Sequence, residues 1–470
     1  MNQKTILSII AGLLTMITTT SAQPKYIFYL IGDGMGLNHV NLVEIFKSES
    51  NNKIGYQHSV LSNFPNTTFI STNSLSHGVT DSGAGGTALS VGKKTKNGVI
   101  AMDSSATISY KSIADASKEK GLKVGIVTSV SIDHATPAAF YAHQPNRNNY
   151  HDIAKEIANS NFDFFAGSGF LQQYKTNENS KEENITNILT RAGYQIIEGK
   201  QKSPVKLLNE KKTIWINDSN QNNESLKYAI DQTPNDLNLA DFTSGAIQNL
   251  SNNNENGFFL MIEGGKIDWA SHSNDAATTI KETDDFLNSV KIAYNFYLEH
   301  PEETLIVVTA DHETGGLIIG NGESELNTKI LAHQKISQEK LSILLNQLRK
   351  DNPNANWQEV KSLISKYTGL WNQIQIDSND ESIIYEAYKK SFINHKNETS
   401  KTLYANDVKI AAISIELLNK LANISWASNN HSASYVPVYA IGKGSEIFKN
   451  KLDNTDVPKL ISKISGLKLD

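Results

Sequence analysis

The chain has 470 residues, of which 39% are hydrophobic, enough apolar sequence for a large buried core. Its 44 basic and 49 acidic residues leave a formal charge of −5, so the composition gives no support for a nucleic-acid partner, which would need a strongly basic face. The absence of cysteine excludes disulfide bonds and thiolate metal sites. Any bound metal must therefore be held by His, Asp, Glu or hydroxyl groups, a ligand set that suits Zn²⁺ and Mg²⁺.

Residues 1–22 have the pattern of a secretory signal peptide. Lys4 supplies a positive charge, residues 6–17 form an apolar run, and the small residues 20–22 offer a cleavage site before Gln23. An uncleaved membrane anchor is the alternative, but the apolar run is shorter than the roughly 20 residues that a bilayer span requires. We therefore expect export to the periplasm or the extracellular space, with no membrane attachment after cleavage.

The mature chain alternates between buried strands and amphipathic helices. Short apolar runs bounded by glycine and polar clusters predict strands, with helical patterns between them. The predicted strands are 26–31, 122–127, 258–262 and 305–308, with 162–165 and 435–441 as further members, and the predicted helices include 110–120, 152–159 and 284–298. This alternation predicts an α/β fold with a doubly wound, mainly parallel central sheet and helices on both faces.

Residues 320–428 interrupt that alternation. Ser337 is placed to cap a helix, and two further helical patterns follow at 357–367 and 407–421, whereas residues 377–381 are predicted to be irregular. We interpret the mature chain, 23–470, as one α/β domain, with 320–428 as a cap-like helical insertion on that domain.

Acidic and imidazole side chains follow several predicted strands at once. Ligands of open α/β sheets bind at the carboxyl ends of the strands, so these side chains are expected to meet there. With no matching basic cluster, they need a cation to hold them together. Taken singly, each would more often be a turn or cap residue. The side chains concerned are Asp33, Glu263, Asp268, His272, Asp311 and His312.

The segment 80–88, Thr-Asp-Ser-Gly-Ala-Gly-Gly-Thr-Ala, contains a candidate nucleophile, Ser82. A helix is predicted to continue through residues 88–91, and a serine at a helix N-terminus meets a partial positive charge and unpaired backbone N–H groups that suit a phosphate. A plain N-cap is the alternative, since a serine hydroxyl needs a base or a metal to become a nucleophile.

A fourth segment, 133–139, contains His134 and Thr136 and is followed by Arg147. A guanidinium offers a planar fork that matches two oxygens of a phosphate. A single arginine is more often a surface charge, so Arg147 carries the least information of these residues when it is considered alone.

Together these motifs resemble the alkaline phosphatase family, in a secreted bacterial form. The segments 80–88 and 309–316, the latter Thr-Ala-Asp-His-Glu-Thr-Gly-Gly, carry the resemblance, which covers most of the mature chain and weakens in the insertion. The resemblance implies hydrolysis of phosphate monoesters to an alcohol and inorganic phosphate through a covalent phosphoserine at Ser82. It also implies a homodimer.

The resemblance further implies two Zn²⁺ ions and one Mg²⁺ ion, with Arg147 as the phosphate clamp. The implied ligands are Asp268, His272 and His431 for one zinc; Asp33, Asp311, His312 and Ser82 for the other; and Asp33, Thr136 and Glu263 for the magnesium.

Two residues depart from the pattern of the enteric bacterial members. His134 stands where those enzymes have Asp, and an imidazole there could ligate a metal and favour Zn²⁺ over Mg²⁺ at the third site. Trp269 stands where they have Lys, which removes a cation near the phosphate and predicts weaker retention of the product.

Two rival functions remain open on the sequence alone. A phosphodiesterase or sulfatase of the same superfamily would use a different nucleophile motif, and Arg147 favours a dianionic monoester. A non-catalytic protein that binds metal or phosphate is the other rival, although no candidate ligand or nucleophile is missing from the chain.

Overall fold

The structure is a computed structural model that describes residues 23–174, 176–177, 180–181, 183–200, 211–218, 224–320, 322, 324–396 and 398–469. The predicted signal peptide, 1–22, lies outside the described residues.

The described strands build one large sheet and four two-stranded ribbons. In chain order the strands are β1 (Tyr26–Gly32), β2 (Asn66–Ser71), β3 (Lys123–Thr128), β4 (Phe164–Gly167), β5 (Thr176–Asn177), β6 (Ser180–Lys181), β7 (Gln195–Glu198), β8 (Thr213–Ile216), β9 (Phe258–Gly264), β10 (Thr304–Thr309), β11 (Glu313–Thr314), β12 (Leu317–Ile319), β13 (Thr399–Lys401), β14 (Asn406–Val408), β15 (Ile424–Trp426), β16 (His431–Ser432), β17 (Val436–Gly442) and β18 (Leu452–Asp453).

The large sheet has 10 strands in the order β18-β2-β17-β10-β1-β9-β3-β4-β8-β7. Among the strands described, only β17 runs against the rest of this sheet, so the predicted mainly parallel α/β fold is confirmed. Every residue of β1, β9 and β10 is buried, as expected for central strands of a sheet that is covered on both faces.

Helices surround the sheet and connect its parallel strands. They are α1 (Leu37–Ser50), α2 (Ser82–Val91), α3 (Ile113–Glu119), α4 (Ala135–Ala138), α5 (Tyr150–Ser160), α6 (Ile185–Arg191), α7 (Leu239–Ser251), α8 (Lys266–His272), α9 (Ala276–Glu299), α10 (Gln338–Asp351), α11 (Trp357–Thr368), α12 (Ser378–Tyr388), α13 (Lys409–Leu421) and α14 (Asp456–Ser465). None of the helices in the described part of the chain is long and apolar enough to cross a membrane.

The segment 320–428 contains α10 to α13 and the short β13–β14 hairpin. Ser337 caps α10 as predicted, because its side chain accepts from the Lys340 N–H. The prediction that residues 377–381 are irregular is wrong: Asp377 caps α12, accepting from the Asp380 N–H at 2.8 Å. Acidic residues in the first turn of a helix are stabilised by the helix dipole, which is why this polar stretch is helical.

The register of the central strands places the polar residues on one edge of the sheet. Ile31 of β1 lies opposite Glu263 of β9 and Thr309 of β10, and Glu263 also lies opposite Thr128 of β3. Because these four strands are parallel, whatever follows them in the chain emerges at the same edge.

Candidate active site

Asp33, Asp311 and His312 form the first of three side-chain groups that, among the described residues, could hold a cation. Asp33 comes directly after β1 and Asp311 comes two residues after β10, so the register of the two strands brings them together. The His312 Nε2 atom lies 3.4 Å from Asp33 Oδ1 and 3.4 Å from Asp311 Oδ2. All three side chains are buried, and both carboxylate oxygens of Asp33 lack a hydrogen-bond partner among the described residues.

Asp268, His272 and His431 form the second group. Asp268 and His272 lie one turn apart on α8, and His431 is brought in by β16. The Asp268 Oδ1 atom lies 3.3 Å from His272 Nε2 and 3.6 Å from His431 Nε2, and the two Nε2 atoms are 3.1 Å apart. Three ligand atoms thus converge on one small volume, as a tetrahedral cation site requires.

The third group combines Asp33, which it shares with the first, with His134 and Glu263. One ligand atom from each lies within 4.8 Å of the other two. The His134 Nδ1 and Glu263 Oε1 atoms are buried without a hydrogen-bond partner in the described part of the chain. Thr136 lies between the first and third groups, with its hydroxyl oxygen 3.5 Å from Asp311 Oδ2.

The imidazoles of the first two groups are fixed in one tautomer. Their Nδ1 atoms face oxygen atoms: Asn429 O for His272, at 2.5 Å; Thr80 O for His431, at 2.8 Å; and Thr314 Oγ1 for His312, at 3.3 Å. A carbonyl oxygen can only accept, so Nδ1 of His272 and of His431 must carry the proton. When these two imidazoles are neutral, their Nε2 atoms therefore present lone pairs to their group, as metal ligands do.

Thr314 connects the first two groups. Its hydroxyl donates to Asp268 Oδ1, which leaves its oxygen to accept from Nδ1 of His312 and fixes that imidazole in the same tautomer. The rings of His312 and His431 also stack, with centroids 3.6 Å apart. The backbone at residue 34 comes so close to Thr314 that only glycine fits there. The φ of Gly34 is +73°, and a Cβ would lie 2.8 Å from the Thr314 hydroxyl.

Ser82 is the first residue of α2, is completely buried, and has its Oγ atom 3.2 Å from His312 Nε2. The N-cap is Asp81, which accepts from the Ala84 N–H, so Ser82 is not a capping residue. Gly85 lets the helix approach the first group closely. A Cβ at this position would lie only 3.1 Å from the Asp311 carbonyl oxygen. The serine hydroxyl and the N-terminal end of the helix therefore face the same space as the first group.

Arg147 is tied to the helix that carries Ser82. Its Nη1 atom donates to Asp81 Oδ2 at 3.0 Å, and its side chain is only 15% exposed. Its Nη2 atom lies 3.5 Å from the hydroxyl of Tyr404, which belongs to the β13–β14 hairpin turn. The guanidinium thus lies beside the first turn of α2, where a bound phosphate would meet it.

Sequence reasoning missed four residues that shape the site. Asp81 lies in the segment 80–88 and Thr314 lies in the segment 309–316, the two segments that carry the family resemblance. Asp81 also directly precedes a helix, and this position could have identified it as a cap. Thr128, whose hydroxyl donates to Glu263 Oε2, could have been found only from strand pairing. Nothing in the local sequence indicates Tyr404.

The buried carboxyls make the site strongly electronegative unless cations or protons compensate. Burial raises the pKa of Glu263 to about 8 and, with repulsion from Asp268, raises that of Asp311 to about 7. Burial and the neighbouring Asp311 raise the pKa of Asp33 well above its usual range. Burial acts against the charge of Asp268 as well, but His272 and the other imidazoles hold its pKa below the ordinary value.

These observations fit divalent cations. Oxygen and imidazole atoms without partners point into the three groups, and burial, with the charge of Arg147 as a smaller cause, lowers the pKa of His134 to about 3, so that its ring is neutral. Neutral imidazoles and ionised carboxylates are the forms that bind Zn²⁺ and Mg²⁺.

The metal-free protein is expected to lose stability as the pH rises. In the unfolded chain carboxyls ionise near pH 4, whereas Glu263 and Asp311 hold their protons to about pH 8 and about pH 7 in the folded state. The folded state then binds more protons, so the free energy of unfolding falls across this window, by about 1.4 kcal/mol per pH unit for each such group.

Thermal melting in chelator between about pH 6.5 and pH 8 would measure this fall, because below this range the unfolded chain also takes up protons on histidines, such as His134, whose pKa is lowered in the folded state. Cations replace the protons, so zinc and magnesium should flatten the profile, and Glu263→Gln should flatten it in part. A melting temperature in chelator that stays constant or rises over this range would contradict the prediction.

A mainly parallel α/β sheet that carries three groups of metal-ligating side chains beside a helix-borne serine is the arrangement of a metal-binding α/β protein. The family model described as Alkaline phosphatase matches residues 24–467. The chain therefore belongs to the alkaline phosphatase family and is a phosphoric monoester hydrolase.

Known relatives span almost the whole chain. Alkaline phosphatase 4 of Bacillus subtilis is 30% identical, and the match covers 94% of this chain and 89% of the relative. The solved structure of a cold-active alkaline phosphatase from Shewanella sp. is 26% identical with a TM-score of 0.77, covering 94% of this chain and 99% of that one. A variant of the alkaline phosphatase from the Antarctic bacterium TAB5, solved with Mg bound in a site named M3, is 26% identical with a TM-score of 0.67, covering 95% and 99%.

Proposed function

We propose that this chain hydrolyses phosphate monoesters through a covalent phosphoserine on Ser82, with two Zn²⁺ ions and one Mg²⁺ ion bound beside it. The observation that carries the proposal is the position of the Ser82 hydroxyl, completely buried and 3.2 Å from Nε2 of His312, within the first of the three cation-binding groups. The hydroxyl of a serine that only caps a helix would instead accept from a backbone N–H group of the first turn.

Each ion is assigned to one group. The second group, with His272 and His431, would hold one zinc, and the first, with His312 and the Ser82 hydroxyl, would hold the other. The third group and Thr136 would hold magnesium. When bound, these cations would supply Lewis-acid stabilisation of the entering and leaving oxygens of the phosphoryl group.

The proposed reaction consists of two successive displacements at phosphorus, and residues of this chain take part in both. Ser82 Oγ loses its proton and attacks phosphorus, the ester P–O bond breaks, and the leaving oxygen takes up a proton and departs as the alcohol. Water then attacks the phosphoserine, the Ser82 Oγ–P bond breaks, and a proton from the water restores the Ser82 hydroxyl as inorganic phosphate is released. The N-terminal N–H groups of α2 and the fork of Arg147 bind the non-bridging oxygens, where negative charge accumulates in the transition state.

Restoring single metals to stripped protein tests this function. We expect the mature chain, treated with a chelator, to lose hydrolysis of an aryl phosphate and to recover it fully only with zinc and magnesium together. Aryl methyl phosphate and aryl sulfate should be hydrolysed far more slowly, since Arg147 and the helix match a dianionic monoester. Faster turnover of the diester or the sulfate would favour the rival enzymes, and full activity in chelator would refute the metal assignment.

His134→Asp is expected to make the third site more selective for magnesium over zinc when both ions are offered. An imidazole favours zinc, whereas an additional carboxylate oxygen favours magnesium. The M3 site of the TAB5 variant, which binds Mg, supports a third site of this kind. Zinc and magnesium per chain would be measured after dialysis against both ions, with His77→Asp, at an exposed histidine, as the matched control. Unchanged contents of both metals in the His134 variant would contradict the assignment.

The domain organisation, export and assembly belong to the same proposal. Residues 1–22 would be removed on export to the periplasm or the extracellular space, 320–428 would form a cap over the site, and the mature chain would form a homodimer. The mass of the secreted chain and light scattering of the purified protein would test cleavage and dimer formation.

A further inference from the structure

Tyr404 reaches the site from the segment 320–428. It lies in the turn between β13 and β14, and its ring stacks on Trp269 with centroids 4.4 Å apart and an interplanar angle of 10°. The same ring meets His272 nearly at right angles, 5.5 Å away, and lies 5.8 Å from the ring of His134. Tyr404 therefore contacts residues of the second and third groups at once.

The hydroxyl of Tyr404 faces the guanidinium of Arg147. Nη2 of Arg147 lies 3.5 Å from this hydroxyl oxygen, while Nη1 donates to Asp81. A phenol oxygen can accept a hydrogen bond, and a guanidinium can only donate, so the contact runs from Arg147 to Tyr404. Asp81 and Tyr404 thus restrain the two terminal nitrogens of Arg147 from two different parts of the chain.

The hairpin that carries Tyr404 is itself fixed to the site. Asp407 of β14 accepts from the Gln338 side chain at 2.7 Å, and the Gln338 backbone N–H donates to Asp275 at 2.8 Å. Asp275 caps α9 three residues after His272, and all three of these polar side chains are buried. Buried and satisfied polar contacts of this kind hold a segment in one position.

We propose that Tyr404 is a positioning residue for the phosphate clamp: its hydroxyl orients Arg147 before phosphate binds, and its ring, stacked on Trp269, fixes the hydroxyl in place. This inference rests on the proposed function. A free arginine side chain loses rotamer freedom when it binds a ligand, and a side chain already held in the bound geometry loses less. The segment 320–428 thereby contributes to phosphate affinity without supplying a metal ligand.

Tyr404→Phe tests the inference because it removes the hydroxyl and keeps the stacked ring. In the zinc- and magnesium-loaded protein, the dissociation constant of inorganic phosphate, measured by calorimetry, should rise about 3- to 10-fold, the loss expected for one hydrogen bond. KM for an aryl phosphate should rise with it. Tyr388→Phe is the matched control, since it removes another hydroxyl of the same segment, one that donates to the Ala355 carbonyl.

A double-mutant cycle identifies the route of the effect. If Tyr404 acts through Arg147, then Tyr404→Phe should change phosphate affinity less than about 1.5-fold when Arg147 is already alanine. An unchanged phosphate affinity in the single variant, or an undiminished effect in the Arg147→Ala background, would overturn the inference. Failure of the wild-type protein to hydrolyse an aryl phosphate would refute the proposed function instead, and failure to bind phosphate at all would refute both.

Discussion

Ser82→Ala is expected to lower kcat for an aryl phosphate by a factor on the order of 10⁶, the scale of loss seen when a serine nucleophile is removed. The residual rate would come from the cations, Arg147 and the end of α2, which would still bind the phosphoryl group. The fold should be retained, because the cap of this helix is Asp81 and the side chain lost is a single hydroxyl.

The control for this variant is Ser90→Ala. Ser90 lies in the same helix, is also completely buried, and donates to the Thr87 carbonyl rather than to a cation-binding group. Ser90→Ala should keep most of the activity. When the proteins are quenched in acid during turnover, Ser82→Ala should accumulate no phosphoprotein. Retention of more than about a tenth of wild-type activity by Ser82→Ala would refute the phosphoserine mechanism.

Asp33→Asn is expected to empty two cation sites, whereas Glu263→Gln should empty one. Asp33 belongs to both the first and the third group, and Glu263 belongs to the third alone. Asparagine keeps the shape of the side chain but removes the charge that compensates a cation. The activity of Asp33→Asn should fall by more than roughly 10- to 100-fold, which is the loss that follows when a residue that only hydrogen-bonds a metal ligand is removed.

Metal content per chain and melting temperature would be measured together for these two variants. In chelator Asp33→Asn should melt at least as high as the wild type, because it removes a buried carboxyl whose pKa is raised by burial and by Asp311. In zinc and magnesium it should melt lower, since fewer ions stabilise the folded state. Equal metal loss in the two variants would show that Asp33 is not shared between two sites.

The edge of the sheet where the site lies could be predicted from the sequence because the signal is local. Asp33 and Glu263 stand at the ends of apolar runs that are buried throughout, and Asp311 follows two residues after another such run. Parallel strands in register then bring these residues together without further information. Ser82 was proposed as a nucleophile from its position before a predicted helix, whereas His431 was assigned as a ligand only by resemblance to the family.

The remaining features depend on contacts between distant segments. Tyr404 is 257 residues from Arg147 in the chain, and no local pattern marks a tyrosine in a hairpin turn as part of a phosphate site. The antiparallel direction of β17 is likewise invisible in its apolar run. The helix after Asp377 was missed for a different reason, because its first turn is polar and the capping side chain outweighs the missing apolar periodicity.

The hydroxyl of Thr314 and the stacked imidazoles have a consequence for protein engineering. Because Asp268 and His312 both contact the Thr314 hydroxyl, and the rings of His312 and His431 stack, neither the first nor the second cation-binding group can be redesigned in isolation. A designer who exchanges one ion for another of different radius would move the ligands of its neighbour as well. Retuning this enzyme for other metals therefore calls for libraries that vary both positions in concert.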